Sequence, residues 1–350
     1  MILSGPGASR RRGRGPRAGS PSFTARGRTL AVPRLAGLVL AAALLGPLGG
    51  CALLQTPPQT RALLAAPPAD LPPRAERVDT PFFPQTDYEC GPAALATALG
   101  AAGIDVRPEA LTEQVYLPAR RGSLQLEMLA AARRRGALAV RLPGTLDALL
   151  RELAAGRPVV VLQNLSLPIA PRWHYAVLVG YDLAAHELLL RSGTTERQVL
   201  GLTPFEHTWA RGGHWAFVAV PPGELPASAS EDEVTAASVA FERVAEPAAA
   251  LRAYEAALAR WPGNLTLAIG VGNSRYAAGD VAGAADAFEA AARRHDSAAA
   301  WINLAELRLQ QGRHDAAEAA ARQAVARGAA EPGFVDAAAA TLAKVLGAPR

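Results

Sequence analysis

Apolar positions recur at helical spacing over 91–103, with Leu95 and Leu99 on one face, then over 107–115 and from Gly122 through Met128 and Leu129 to Gly136. This predicts three short helices. Residues 139–142 read as a short strand and 146–155 as a fourth helix stopped at Gly156. The period then changes to two. Residues 158–163, apolar as far as Leu162, read as a buried strand, 173–181 as a second, 187–192 as its hairpin partner and 214–220 as a closing strand. Helices in the front half and an antiparallel sheet in the back half predict an α+β domain over 78–223. A short linker is expected at 224–230, and 231–347 has helical period throughout.

Within this last stretch small and aromatic residues repeat. Gly272, Gly279, Ala284, Phe288 and Ala291 are matched one unit later by Trp301, Leu304, Gly312, Ala317 and Ala324, with Ala250, Tyr254, Ala257 and Pro262 completing an earlier unit. The period is about 33–34 residues, and the pattern resembles tetratricopeptide (TPR) repeats. Small residues stand where paired helices touch and glycines where the chain turns between them. A terminal capping helix is expected over 332–346. The resemblance implies an all-α repeat domain that binds a protein partner.

Charge changes its meaning once the N-terminus is set apart. The formal charge is +5, but eight arginines lie between Arg10 and Arg34, and without them the balance is −3. A surface of that sign gives no case for nucleic acid. After the basic stretch comes an apolar run from Leu35 to Pro47, then Leu48-Gly49-Gly50-Cys51. The run is short for a membrane span and fits a signal segment, expected over 1–50. Leu48-Gly49-Gly50-Cys51 resembles the bacterial lipobox, which implies that Cys51 carries the acyl chains of a lipoprotein. Two chains suffice for stable anchoring. Ala52 after the lipid site points to the outer membrane, facing the periplasm. Three Pro-Pro pairs make 51–77 read as an extended tether.

With Cys51 assigned to lipid, Cys90 is left unpaired in an exported chain, and an idle thiol there suggests a reactive one. It opens the helix beginning Gly91-Pro92-Ala93, where free N–H groups and the helix dipole stabilise a thiolate. A cysteine hydrolase also needs a histidine that shares the proton and a donor for the oxyanion. Gln85, five residues upstream, is the candidate donor. His174, opening a strand between Trp173 and an apolar run, is the candidate base. His186, His207, His214, His295 and His314 lack such a setting.

The segments Phe82-Phe83-Pro84-Gln85, Cys90-Gly91-Pro92-Ala93-Ala94-Leu95 and His174-Tyr175-Ala176-Val177-Leu178-Val179-Gly180-Tyr181-Asp182 resemble the papain-like C39 cysteine peptidases, over about 78–223. The resemblance implies a papain-like fold, hydrolysis of a peptide bond, Cys90 as nucleophile, His174 as base and Gln85 as oxyanion donor. In the family an Asp-Pro pair follows on the strand beside the histidine. Here that place holds Ser192, which orients an imidazolium less strongly than a carboxylate does. Asn164 is an alternative orienting residue; Asp182 lies at the far end of the hairpin. No ligand spacing for a metal and no phosphate-binding glycine loop occurs, so no cofactor is expected. Three functions remain open: a lipid-anchored peptidase, a cysteine acyltransferase, or an assembly lipoprotein on a decayed peptidase fold.

Overall fold

The computed structural model describes residues 55–84, 89–120 and 122–349. The lipid site Cys51 and the signal segment lie outside them. The stretch expected as an extended tether is structured and docked. Pro58–Ala65 forms a helix (α1) with Thr60 and Leu63 buried, and Arg74–Glu76 forms a strand (β1). Proline at the first helical position suits α1, since the missing N–H has no intrahelical partner there.

Next come α2 (Cys90–Ala101), α3 (Glu109–Val115), a two-strand ribbon of β2 (Tyr116–Leu117) and β3 (Gly122–Ser123), and α4 (Gln125–Arg134). β4 (Leu138–Arg141), α5 (Leu146–Ala154), β5 (Val159–Asn164), β6 (Trp173–Asp182), β7 (Glu187–Ser192), β8 (Thr195–Gly201), α6 (Leu202–Arg211) and β9 (Ala216–Val220) follow. The strands pair antiparallel in the order β4-β9-β5-β6-β7-β8. β5 pairs with the first six residues of β6, Trp173 to Leu178, and β1 takes the last three, Gly180 to Asp182. All six residues of β5 are buried: the apolar run from Val159 to Leu162, then Gln163 and Asn164, whose side chains are hydrogen-bonded.

The sheet has a core on each face. On one side Leu95, Leu99, Leu111 and Met128 of α2–α4 pack against Val160, Tyr175, Val177 and Phe217. On the other, Leu149, Phe205 and Trp209 of α5 and α6 pack against Val161, Leu178 and Leu190. The second core continues past the domain end into Val234, Ala237 and Phe241 of α7 (Glu231–Glu242). The stretch expected as a linker is therefore seated on the sheet domain. Ala229 is buried, and the buried Glu152 carboxylate accepts from the Ser228 N–H and hydroxyl at 2.7 and 2.6 Å. α7 itself opens with a capping box between Ser230 and Glu233.

The remaining helices are α8 (Pro247–Arg260), α9 (Leu265–Ala277), α10 (Val281–His295), α11 (Ala298–Gln310), α12 (His314–Gly328) and α13 (Val335–Gly347), the last led by a 3-10 turn at Pro332–Phe334. They stack in the order of the repeat. Gly272 shows why small residues were needed. A Cβ there would lie 2.4 Å from the ring of the buried Phe288.

Candidate active site

Cys90 is the first residue of α2, and β6 runs beneath that helix. The backbone N–H groups of Tyr175, Gly91 and Cys90 itself face the thiol and favour its charged form. The Tyr175 contact ties it to the histidine strand, one residue along from His174. The close approach of helix and ribbon depends on glycine. A Cβ on Gly91 would fall 2.1 Å from Ser123 Oγ and 2.6 Å from Ser123 Cβ. Ser123 Oγ is buried with no hydrogen-bond partner among the described residues. Tyr175 donates its hydroxyl to Ser123 O at 3.2 Å, and its ring meets Trp215 edge-on at 5.8 Å.

His174 Nε2 lies 2.9 Å from Ser192 Oγ. Ser192 closes β7, where the register against β8 shifts between Leu190 and Ser192. With Nε2 engaged by the hydroxyl, Nδ1 is left for a thiol proton. Asn164 does not take the orienting role. Its Oδ1 accepts from the N–H groups of Ser166 and Arg172 at 3.0 and 2.9 Å, closing the loop between β5 and β6. Gln85 lies outside the described residues.

The approach to the cysteine is fixed by a buried arginine. Arg191, 4% exposed, donates to Thr80 O at 3.2–3.3 Å, Val78 O at 2.9 Å and Glu196 O at 2.7 Å. It thereby ties the strand carrying Ser192 to the segment that leads into Cys90. Sequence reading passed over both Arg191 and Ser123. An arginine in a strand usually marks an exposed edge, and Ser123 sits in a two-residue strand too short for periodicity to register.

Electrostatics corrects one expectation. The helix N-terminus was expected to lower the Cys90 pKa. Burial instead pushes it up, outweighing the three N–H bonds that pull it down. Burial, followed by the positive charge of Arg172, lowers His174 from 6.5 to about 4. Burial and the nearby Cys90 charge raise Tyr175 as well. At neutral pH the thiol and the imidazole are thus both neutral at rest. Such a pair can still react if the thiol passes its proton to the imidazole as it attacks.

The chain thus folds as an α+β domain, with Cys90 opening one of its helices, followed by helical repeats. Comparison with known families gives the same division. Residues 77–214 match the Peptidase_C39 like family, and residues 235–294 and 269–332 match the tetratricopeptide repeat. Residues 77–214 are thus a C39-like peptidase domain, and TPR repeats follow it. No curated protein matches the chain. Among solved structures it is similar to a C39-like peptidase from Bacillus anthracis, at 18% identity and TM-score 0.36, over 42% of this chain and 97% of that one. It is also similar to the peptidase domain of Streptococcus ComA, a bifunctional ABC transporter, at 20% identity and TM-score 0.34, over 41% and 98%. The repeats are similar to SycD, a type III secretion translocator chaperone of Yersinia enterocolitica, at 18% identity and TM-score 0.31, over 33% and 90%.

Proposed function

We propose that the chain is a lipid-anchored cysteine peptidase of the bacterial cell envelope. It cleaves a peptide or related amide bond through Cys90 and His174, and its TPR repeats hold a protein partner. One observation carries the reading. The Cys90 thiol opens α2 facing the Tyr175 N–H, the residue next to His174 on β6, and the His174 imidazole is oriented by Ser192. In the reaction the thiol attacks the carbonyl carbon and His174 takes its proton. The N–H groups of the α2 start, joined by the Gln85 amide, stabilise the oxyanion. The imidazolium then protonates the leaving amine, and water releases the acyl group. Cys51 carries the anchor, and Ala52 directs the protein to the outer membrane.

A second reading rests on Ser192. A hydroxyl in place of a carboxylate, with both central groups neutral at rest, suits a domain retained for assembly. Transfer of the acyl group to an amine in place of water is a variant of the first reading. The test is a chloromethylketone or epoxide cysteine probe on purified protein, followed by turnover of a peptide library. Labelling of Cys90 and turnover, both lost in Cys90→Ala, support the peptidase. Absence of both in folded protein supports the assembly reading. Anchoring is read separately, by palmitate incorporation that Cys51→Ser abolishes.

A further inference from the structure

Four of the twelve large apolar side chains that are exposed among the described residues fall within nine consecutive positions: Leu165 (37%), Leu167 (54%), Ile169 (91%) and Trp173 (54%). Leu165, Leu167 and Ile169 lie in the loop joining β5 to β6, and Trp173 opens β6 next to His174. The root of the loop is fixed. Leu165 N–H donates to Arg172 O at 2.9 Å, Asn164 Oδ1 caps both arms, and Arg211 Nε donates to Asn164 O at 3.1 Å. No carboxylate occurs from Gln163 to Tyr181, and Arg172 stands exposed at the root. An apolar tip, a tryptophan at its margin and a cation behind it are the features of a segment that settles into a lipid–water interface.

The path of the chain from Cys51 points to the same place. Only six peptide links separate Cys51 from Pro57, which is buried. They span at most about 22 Å. There α1 is captured. The buried Glu206 of α6 accepts from the backbone N–H groups of Gln59 and Thr60 at 3.0 and 2.5 Å, and the Gln59 side chain bridges Gly144 O and the Leu146 N–H. The same helix holds the loop. Thr208 Oγ1 accepts from Gln163 at 2.6 Å, and Arg211 holds Asn164. From Glu206 to Arg211 is five residues of helix, about 7.5 Å of rise. The chain coming from the anchor site and the apolar loop are fastened to one short length of α6.

We infer that the β5–β6 loop inserts Leu167, Ile169 and Trp173 into the bilayer surface to which Cys51 is attached. This sets the His174 end of β6 against the membrane and makes membrane-proximal peptide segments the substrates. The inference rests on the anchored reading above. It adds that a docked α1 and an apolar loop, beyond the acyl chains themselves, fix the orientation of the domain.

The test uses the full lipidated protein reconstituted in phosphatidylethanolamine–phosphatidylglycerol vesicles, with and without brominated acyl chains. Tryptophan emission is expected to be lower in the brominated vesicles, and Trp173→Phe removes the quenched component. Leu167→Asp and Ile169→Asp weaken the quenching while palmitate labelling and co-flotation persist. Equal emission in both vesicle types from protein that is labelled and floats overturns the inference but leaves the anchor standing. So does quenching unchanged by Trp173→Phe. Aspartate variants that leave quenching intact but raise KM for a soluble peptide would make the loop a rim for substrate, which also overturns it. If the protein carries no palmitate, the anchored reading fails, and the same emission measurement with added preformed vesicles decides the loop alone.

Discussion

Cys90 and His174 carry opposite shifts with one origin, the loss of water around each charged form. Cys90 is raised above its ordinary 9.0 and His174 lowered to about 4. Alkylation of Cys90 by iodoacetamide is therefore expected to be slow at neutral pH and to climb above pH 9, when followed by mass spectrometry. A rate already at its plateau between pH 5 and 8 would show a preformed thiolate and contradict this. Between about 4 and 6.5 the unfolded chain takes up the His174 proton while the folded protein does not. The stability due to the neutral imidazole is thus present above 6.5 and lost as pH falls toward 4. Urea midpoints at pH 7.5 and 4.5 should differ less in His174→Gln than in the wild type. Ser192→Asp should raise the His174 pKa in an NMR titration, because a carboxylate favours the imidazolium. Ser192→Ala should cost about 1 kcal/mol, the loss of one neutral hydrogen bond. At this scale the sequence pointed to Ser192 as the residue beside His174, and their side chains meet at 2.9 Å. It missed the direction of the thiol shift. A helix N-terminus is visible in a sequence, but the depth of burial that outweighs it depends on residues far away, such as Tyr175.

The elements that were legible are those with an unbroken period. The cysteine helix, the strands β5 to β7 and the repeat helices each present several apolar positions in register. Those that escaped are held by particular hydrogen bonds. β1 is Arg-Ala-Glu, with no apolar alternation, and exists because the end of β6 extends past β5. β8 is a mostly exposed, polar edge strand paired along β7. α1 lies among prolines and is fixed by one buried carboxylate, Glu206. A close contact between elements gives a further prediction. Gly91→Ala should destabilise the protein by about 1–3 kcal/mol in urea titration, since the new methyl group overlaps Ser123. Ser123→Gly in the same chain should recover part of the loss. Equal stability of Gly91→Ala and wild type would mean that the ribbon moves aside freely.

For the whole molecule, the decisive feature is the core that runs from the sheet into the first repeat helices. Val234, Ala237 and Phe241 of α7, with Tyr254 and Ala257 of α8, belong to the same cluster as Leu149, Leu178 and Trp209. A fragment beginning at Glu231 would leave that face of α7 bare. It should show a lower midpoint and a broader transition than the repeats do in the intact chain, followed by far-ultraviolet circular dichroism. Coincident unfolding of both parts in the full protein, by circular dichroism and tryptophan emission, is the matching expectation. The sequence marked a boundary at 224–230 by its prolines and serines. What composition could not convey is that Ser228 and Ala229 are packed inward. Because one core runs through that junction, the repeats are held to the sheet domain by packed side chains rather than by a hinge, and a change in that core is felt on both sides of it.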